Sequence, residues 1–216
     1  MAKRSFVRKD RFYFKAKKEG YPARSAYKLI ELDDRFKIFK PGRVIIDLGC
    51  APGGWLKVAQ ERMAGKGTLV GVDLLPLAMV PNEVTHFRQD DFTKPETQKW
   101  IRGLAPHGID WVLSDMSPNI SGVKFRDEYQ SYELCRLAFH FACENLKRGG
   151  GFLFKIFPGP ELEILRREVK VHFEKVVTVV PEATRQSSTE VYVVLNGFKG
   201  KLPEYPLDTF HASSRT

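Results

Sequence analysis

Four polar residues stand where a buried apolar side chain or a plain turn is expected, and their types suit proton-transfer chemistry. Lys28 falls inside a helical pattern near the N-terminus. Asp115 follows an apolar run in Leu113-Ser114-Asp115-Met116-Ser117-Pro118-Asn119, Lys155 interrupts Phe152-Leu153-Phe154-Lys155-Ile156-Phe157, and Glu190 opens the last apolar run. An uncompensated lysine inside such a strand is costly to bury. Two readings of Lys155 follow. It holds a catalytic position, or it lies near the strand end, where it reaches solvent or pairs with Asp115 to hold adjacent strands.

A second cluster, Asp47-Leu48-Gly49-Cys50-Ala51-Pro52-Gly53-Gly54-Trp55, sits where a first strand gives way to a helix. Glycines there let the backbone turn sharply and approach a ligand closely. The spacing is not G-x-G-x-x-G and Pro52 occupies the turn, which disfavours a nicotinamide cofactor. Asp73 ends a second strand in Gly71-Val72-Asp73, about where a carboxylate accepts the two hydroxyls of an adenosine ribose. Asp90-Asp91-Phe92 ends a third and is placed to meet an adenine edge. Each feature alone has a structural explanation, since glycine-rich turns and helix-capping aspartates are common. Taken in order they resemble the S-adenosylmethionine loop of Rossmann-like methyltransferases, so S-adenosyl-L-methionine is the expected cofactor.

The elements that must carry these residues can be read from hydrophobic periodicity. Ala26, Tyr27, Leu29, Ile30, Leu32 and Phe36 recur at helical spacing, and Pro41-Gly42 ends that helix. Apolar, largely β-branched runs follow at 44–48, 68–72, 84–87, 111–113 and 151–157, with helical patterns near 55–63, 94–103 and 127–146 between them. Such alternation predicts an α/β fold, a doubly wound and mostly parallel sheet with helices on both faces. After a helix near 161–171, the runs 173–180 and 190–195 follow without a helix between them, which predicts an antiparallel C-terminal edge. The ligand site then belongs at the carboxyl ends of the central strands.

The chain has 216 residues, enough for one sizeable α/β domain, and 43% hydrophobic with 28% charged residues excludes wholesale disorder. The net charge of +9 is unevenly spread: thirteen basic and five acidic side chains place +8 in the first forty residues. That asymmetry points to a polyanionic partner, nucleic acid or an anionic membrane surface. Residues 1–24 read as a basic arm in which cations alternate with Phe6, Phe12, Tyr13 and Phe14, suited to phosphate neutralisation and base stacking or, alternatively, to packing on the domain. Residues 25–198 read as the catalytic domain and 199–216 as a flexible tail. Cys50, Cys135 and Cys143 form no C-x-x-C pair, and the five histidines have no metal-ligand spacing, so neither a disulfide framework nor a metal is expected. No apolar run is long enough to span a bilayer, and a cytoplasmic monomer is expected. The basic N-terminus also admits a mitochondrial presequence, against which Asp10 and Glu19 weigh.

From Arg24-Ser25-Ala26-Tyr27-Lys28-Leu29 to Ser188-Thr189-Glu190-Val191-Tyr192-Val193-Val194, nearly the whole chain resembles the FtsJ/RrmJ family of ribosomal RNA (uridine-2′-O-)-methyltransferases. The resemblance implies that Lys28, Asp115, Lys155 and Glu190 form the family's Lys-Asp-Lys-Glu catalytic tetrad. It implies that Gly53, Trp55, Asp73, Asp91 and Asp115 contact the cofactor. Asp90 stands where the family pattern has a glycine, leaving both Asp90 and Asp91 as candidates, and Ser117 replaces a small apolar residue. The implied activity is S-adenosylmethionine-dependent 2′-O-methylation of a uridine ribose in large-subunit 23S ribosomal RNA, late in subunit assembly. The implied partner is ribosomal RNA or the large ribosomal subunit. Transfer RNA or capped messenger RNA is the alternative substrate, because the same tetrad serves all ribose 2′-O-methylation. A non-catalytic RNA-binding assembly factor is the third reading, and a lost tetrad residue would have been its mark.

A ribose 2′-hydroxyl is a poor nucleophile at neutral pH and benefits from a base within hydrogen-bond reach. Lys155 is the candidate base: burial and a neighbouring cation, Lys28, favour a neutral amine. Asp115 opposes that effect, so orienting Lys155 and receiving the positive end of the cofactor suit it better. Glu190 is expected to position Lys28 or the ribose.

Overall fold

A computed structural model describes residues 10–185 and 188–203. Its elements run α1 (Arg11–Glu19), α2 (Ala26–Phe36), β1 (Val44–Leu48), α3 (Gly54–Met63), β2 (Thr68–Asp73), β3 (Thr85–Gln89), α4 (Pro95–Leu104), β4 (Ile109–Ser114), α5 (Lys124–Asn145), β5 (Leu146–Ile156), α6 (Pro160–Lys170), β6 (Phe173–Val179) and β7 (Val191–Phe198). One seven-stranded sheet has the order β3-β2-β1-β4-β5-β7-β6. The pairs from β3 through β5 are parallel, while β5–β7 and β7–β6 are antiparallel. The expected doubly wound sheet with an antiparallel C-terminal edge is therefore the fold.

Both faces of the central strands are covered, which is why their sequences read as continuous apolar runs rather than alternating ones. On one face Ile46, Val112, Phe152 and Phe154 pack under α4, α5 and α6. On the other, Ile45, Leu113, Leu153 and Val194 pack under Leu29 and Leu32 of α2 and Leu56 and Ala59 of α3. Strand alternation assigns Lys155 and Tyr192 to this second face, and the two are cross-strand partners in the β5–β7 register.

Residues 10–24 differ from the expected irregular arm. Asp10 caps α1 by accepting the Tyr13 N–H at 3.0 Å, and Gly20, in the left-handed region at φ 75°, ends it. Asp10 also pairs with Arg24 and, at 3.4 Å, with Arg185, while Phe12 and Ala16 pack against Tyr27 and Ala183. The two-residue apolar stripe, one turn apart, is too short to show through the surrounding charge. Residues 1–9 of the arm, with Phe6, and residues 204–216 of the tail lie outside the described residues. Among the described residues, no helix is long and apolar enough to cross a membrane.

Candidate active site

The carboxyl ends of β1, β4 and β5 and the start of β7 come together at one edge of the sheet. Lys155 lies next to the end of β5 and is buried, only 7% exposed. Its Nζ donates to the Asp115 backbone carbonyl at 2.8 Å and lies 3.2 Å from Asp115 Oδ1. The backbone carbonyl of Lys155 in turn accepts from Cys135 Sγ at 3.0 Å, fixing the strand against α5. Lys28, on the buried face of α2, pairs with Glu190, and both are 9% exposed. A buried pair of this kind survives because each charge has a partner; removing one partner strands the other at a cost of about 3–5 kcal/mol.

Tyr192 joins the two pairs. Its hydroxyl donates to Asp115 Oδ1 at 2.8 Å, Lys28 Nζ lies 5.7 Å from its ring centre, and the Trp55 ring is 5.9 Å away. The side chain is fully buried, and its phenol is held well above the ordinary tyrosine range by burial and by the charges of Asp115 and Glu190. It therefore acts as a hydrogen-bond donor, not as an acid. In the sequence, a tyrosine within Val191-Tyr192-Val193-Val194 reads as core. Only its register opposite Lys155 marks it as part of the site, and register is a product of the fold.

The glycine turn leaves β1 beside this group. Gly53, at φ 107°, precedes α3, and at Gly49, at φ 75°, a Cβ would overlap the Met116 side chain, so neither position accepts a larger residue without strain. Asp73 clasps the turn, accepting Ala51 N–H on Oδ2 at 2.7 Å and Leu75 N–H on Oδ1 at 2.8 Å. Each of its oxygens keeps a second lone pair for a ligand hydroxyl. Trp55 is buried, and its indole N–H donates to the Ser25 carbonyl at 3.0 Å, tying α3 to the start of α2.

The third-strand aspartates divide their work. Asp90 accepts from Lys94 Nζ and Thr97 Oγ1, both at 2.7 Å, from Arg88 Nε at 3.2 Å, and from the Asp91 N–H, bonds that hold its carboxyl far below the usual carboxylate range. Among the described residues, the Asp91 carboxylate accepts from Thr93 alone, through Oδ1. The position of Asp91 is apart from the tetrad, two residues beyond β3, although Asp90 N–H bonds to the Asp73 carbonyl and so anchors this corner next to the end of β2.

Asp47 is the residue whose weight the motif did not reveal. It is 1% exposed at the end of β1, and neither carboxylate oxygen has a hydrogen-bond partner among the described residues. Burial, then the nearby charges of Asp115 and Asp73, push its carboxyl well above the ordinary range. It lines a narrow crevice with Ser25, Gly49, Pro52, Trp55 and Asp115. Beyond this crevice opens a cleft of about 730 Å³ whose lining includes Arg24, Lys28, Lys124, Phe157, Arg185 and Glu190. Three carboxylates around a glycine turn, one of them orphaned, suit a cationic ligand. The cleft reaches the Lys28–Glu190 pair, and its four cations face Asp127, Glu128 and Glu190, which leaves it only slightly positive.

Known proteins are similar to this chain in sequence and fold. Residues 21–198 match the model of the FtsJ-like methyltransferase family. The chain is 43% identical over 186 residues to ribosomal RNA large subunit methyltransferase E of Thiobacillus denitrificans, covering 86% of this chain and 84% of that one. It is 41% identical over 198 residues to the protein of the same name from Methanocaldococcus jannaschii, covering 90% and 81%. A crystal structure from Plasmodium falciparum, described as a ribosomal RNA methyltransferase, superposes with a TM-score of 0.74 at 31% identity, covering 84% of this chain and all of that one. With the fold and the matched span in agreement, the chain belongs to the FtsJ-like methyltransferase family.

Proposed function

We propose that the protein transfers a methyl group from S-adenosylmethionine to the 2′-hydroxyl of a uridine ribose in large-subunit 23S ribosomal RNA. The observation that carries this reading is the buried Lys155, oriented by Asp115 and linked through Tyr192 to the Lys28–Glu190 pair, which lines an open cleft. Relatives at 41–43% identity bear the name ribosomal RNA large subunit methyltransferase E, which supports the same substrate.

The residues present fit the cofactor. Its methionine end carries two positive charges, and the orphaned Asp47 with Asp115 and Asp73 offers the negative surroundings those charges need. Asp73, through its remaining lone pairs, would hold the ribose hydroxyls. Asp91 rather than Asp90 would meet the adenine, because the Asp90 carboxylate is already committed to three side chains and a backbone N–H. Gly53 and the backbone of Trp55 would line the turn. When bound, the cofactor supplies a methyl carbon on a positively charged sulfur that departs as a neutral thioether.

The protein's own residues do the rest. Lys155, once its ammonium has given up a proton, accepts the proton of the 2′-hydroxyl at Nζ as the oxygen attacks. Asp115, held by the Tyr192 hydroxyl, keeps Nζ aimed at that position. Lys28, fixed by Glu190, steadies the ribose oxygen and leaves the cleft otherwise free for the flanking nucleotides. Arg24 and Arg185 extend the positive lining toward α1, whose exposed Phe14 and outward lysines offer phosphate contacts and stacking surfaces.

The test is methyl transfer from labelled S-adenosylmethionine to purified large ribosomal subunits, free ribosomal RNA and bulk transfer RNA, followed by nucleoside digestion. The expected product is 2′-O-methyluridine from the ribosomal substrate. Label confined to transfer RNA would overturn the substrate and leave the chemistry standing.

A further inference from the structure

The opposite end of the sheet carries a feature that methyl transfer does not use. Where β1, β4 and β5 begin, a pocket of about 250 Å³ is lined by Lys37, Lys40, Arg43, Lys147 and Arg148 together with Asp110. Asp115 follows the last residue of β4 and Asp110 is near its first, so the pocket lies roughly 20 Å along the sheet from the tetrad.

The strand pairing is shaped around this pocket. Leu146 pairs with Ile109 and Gly151 with Trp111, so Lys147–Gly150 stand opposite Asp110 alone. Such a bulge takes side chains out of the ladder and re-aims them, and here it delivers Lys147 and Arg148 to the pocket. Arg43 is fixed there too, its Nη1 donating to the carbonyls of Lys37, at 2.8 Å, and Ile38.

The charges do not cancel. Asp110 is the one acid in the lining, and its carboxylate is taken up by the Val44 N–H at 2.7 Å and by Lys147 Nζ at 3.1 and 3.2 Å. Among the described residues, Lys37, Lys40 and Arg148 have no ion-pair partner, and all three are exposed. Lys37 and Lys40 belong to the same basic forty residues that begin the chain, so that charge serves both ends of the sheet. Concave, bulge-built and uncompensated, the site is made for phosphate oxygens.

We propose that this pocket is a second RNA-backbone site, gripping phosphates of a ribosomal RNA segment remote from the nucleotide that is methylated. The inference rests on the reading of the chain as an enzyme acting on ribosomal RNA. One folded RNA would touch the protein at the catalytic cleft and again at the far edge, so the pocket sets orientation and affinity without entering the chemistry.

The decisive variant is Lys40→Gln/Arg148→Gln, compared with Lys99→Gln/Arg102→Gln, which removes two exposed cations from α4. Binding to free large-subunit ribosomal RNA and to assembled large subunits is measured across a salt series, with kcat and KM for transfer and the thermal midpoint as a folding check. The pocket variant is expected to lower the slope of log affinity against log salt by about two, roughly one for each phosphate no longer neutralised. It should raise KM about tenfold and leave kcat and the midpoint unchanged, while the α4 variant changes the slope far less. Equal losses in both variants would mean a general electrostatic field and overturn the proposal, as would unchanged binding. A loss confined to assembled subunits would assign the pocket to a protein partner and also overturn it. If the parent chain transfers no methyl group to ribosomal RNA, the functional reading fails, while the difference in RNA-binding slope still decides for or against the pocket.

Discussion

Around the tetrad the charged side chains are matched in pairs, Lys28 with Glu190 and Lys155 with Asp115, and Tyr192 connects the two. On the neighbouring strand β1, Asp47 is just as deeply buried and has no hydrogen-bond partner for either oxygen among the described residues. The contrast separates two ways of building a site. A matched network keeps its geometry without a ligand, so the acceptor side is preorganised. An orphaned acid is stable only as the neutral form until a cation arrives, so the cofactor side is completed by what it binds.

Substitutions on each side should therefore fail differently. Lys155→Ala is expected to lower kcat by about a thousandfold or more while the dissociation constant for S-adenosylmethionine stays within about twofold. Turnover within about tenfold of the parent would remove Lys155 from the base role. Asp47→Asn should do the reverse, weakening S-adenosylmethionine binding roughly ten- to hundredfold by removing one charge-assisted contact. The sign of the pH dependence follows from the raised Asp47 carboxyl. Below the pH at which that raised carboxyl ionises, a cationic ligand must expel its proton, so affinity rises with pH until the free acid is already ionised. Calorimetry in buffers of different ionisation enthalpy should detect that released proton in the parent chain and not in the Asn variant.

Tyr192→Phe removes the hydroxyl that joins the two sides. We expect a fall of about tenfold in kcat, little change in cofactor affinity, and about 1 kcal/mol less stability from the missing buried hydrogen bond. Unchanged kcat would make Tyr192 core packing only.

A last effect lies outside the site and is a control on it. His140 is buried in α5, and burial first, then Arg136 and His172, lower its ring to about 4. The unfolded chain takes up that proton first, at its ordinary value of about 6.5. This contribution is therefore full above that value and is lost as pH falls toward 4, by roughly 1–3 kcal/mol. Denaturant unfolding of the parent between pH 7 and 4.5, compared with His140→Gln, should show a flatter profile in the variant, with cofactor affinity at neutral pH the same in both.

The sequence carried the strands and helices well because β1, β2 and β4 are short apolar runs bounded by glycine or aspartate, and such runs have few alternative uses. The candidate tetrad stood out for the opposite reason: Lys155 inside an apolar strand violates the pattern, and violations are conspicuous. Tyr192 was hidden because it obeys the pattern, and only pairing with Lys155 gives it a role. Asp47 was visible as part of Asp-Leu-Gly, yet its isolation from every donor depends on neighbours far apart in the chain. The helix α1 was missed because its apolar stripe is two residues long and its cap, Asp10, is held by Arg24 and Arg185 from distant parts of the sequence.

The most direct test of the division between the two sides is a chase with the Lys155→Ala protein. The variant is loaded with labelled S-adenosylmethionine, freed of unbound label, and mixed with purified large ribosomal subunits. The expected result is label retained by the protein or released as intact cofactor at the parent's rate, with none entering RNA. Label passing into 2′-O-methyluridine at close to the parent rate would contradict it.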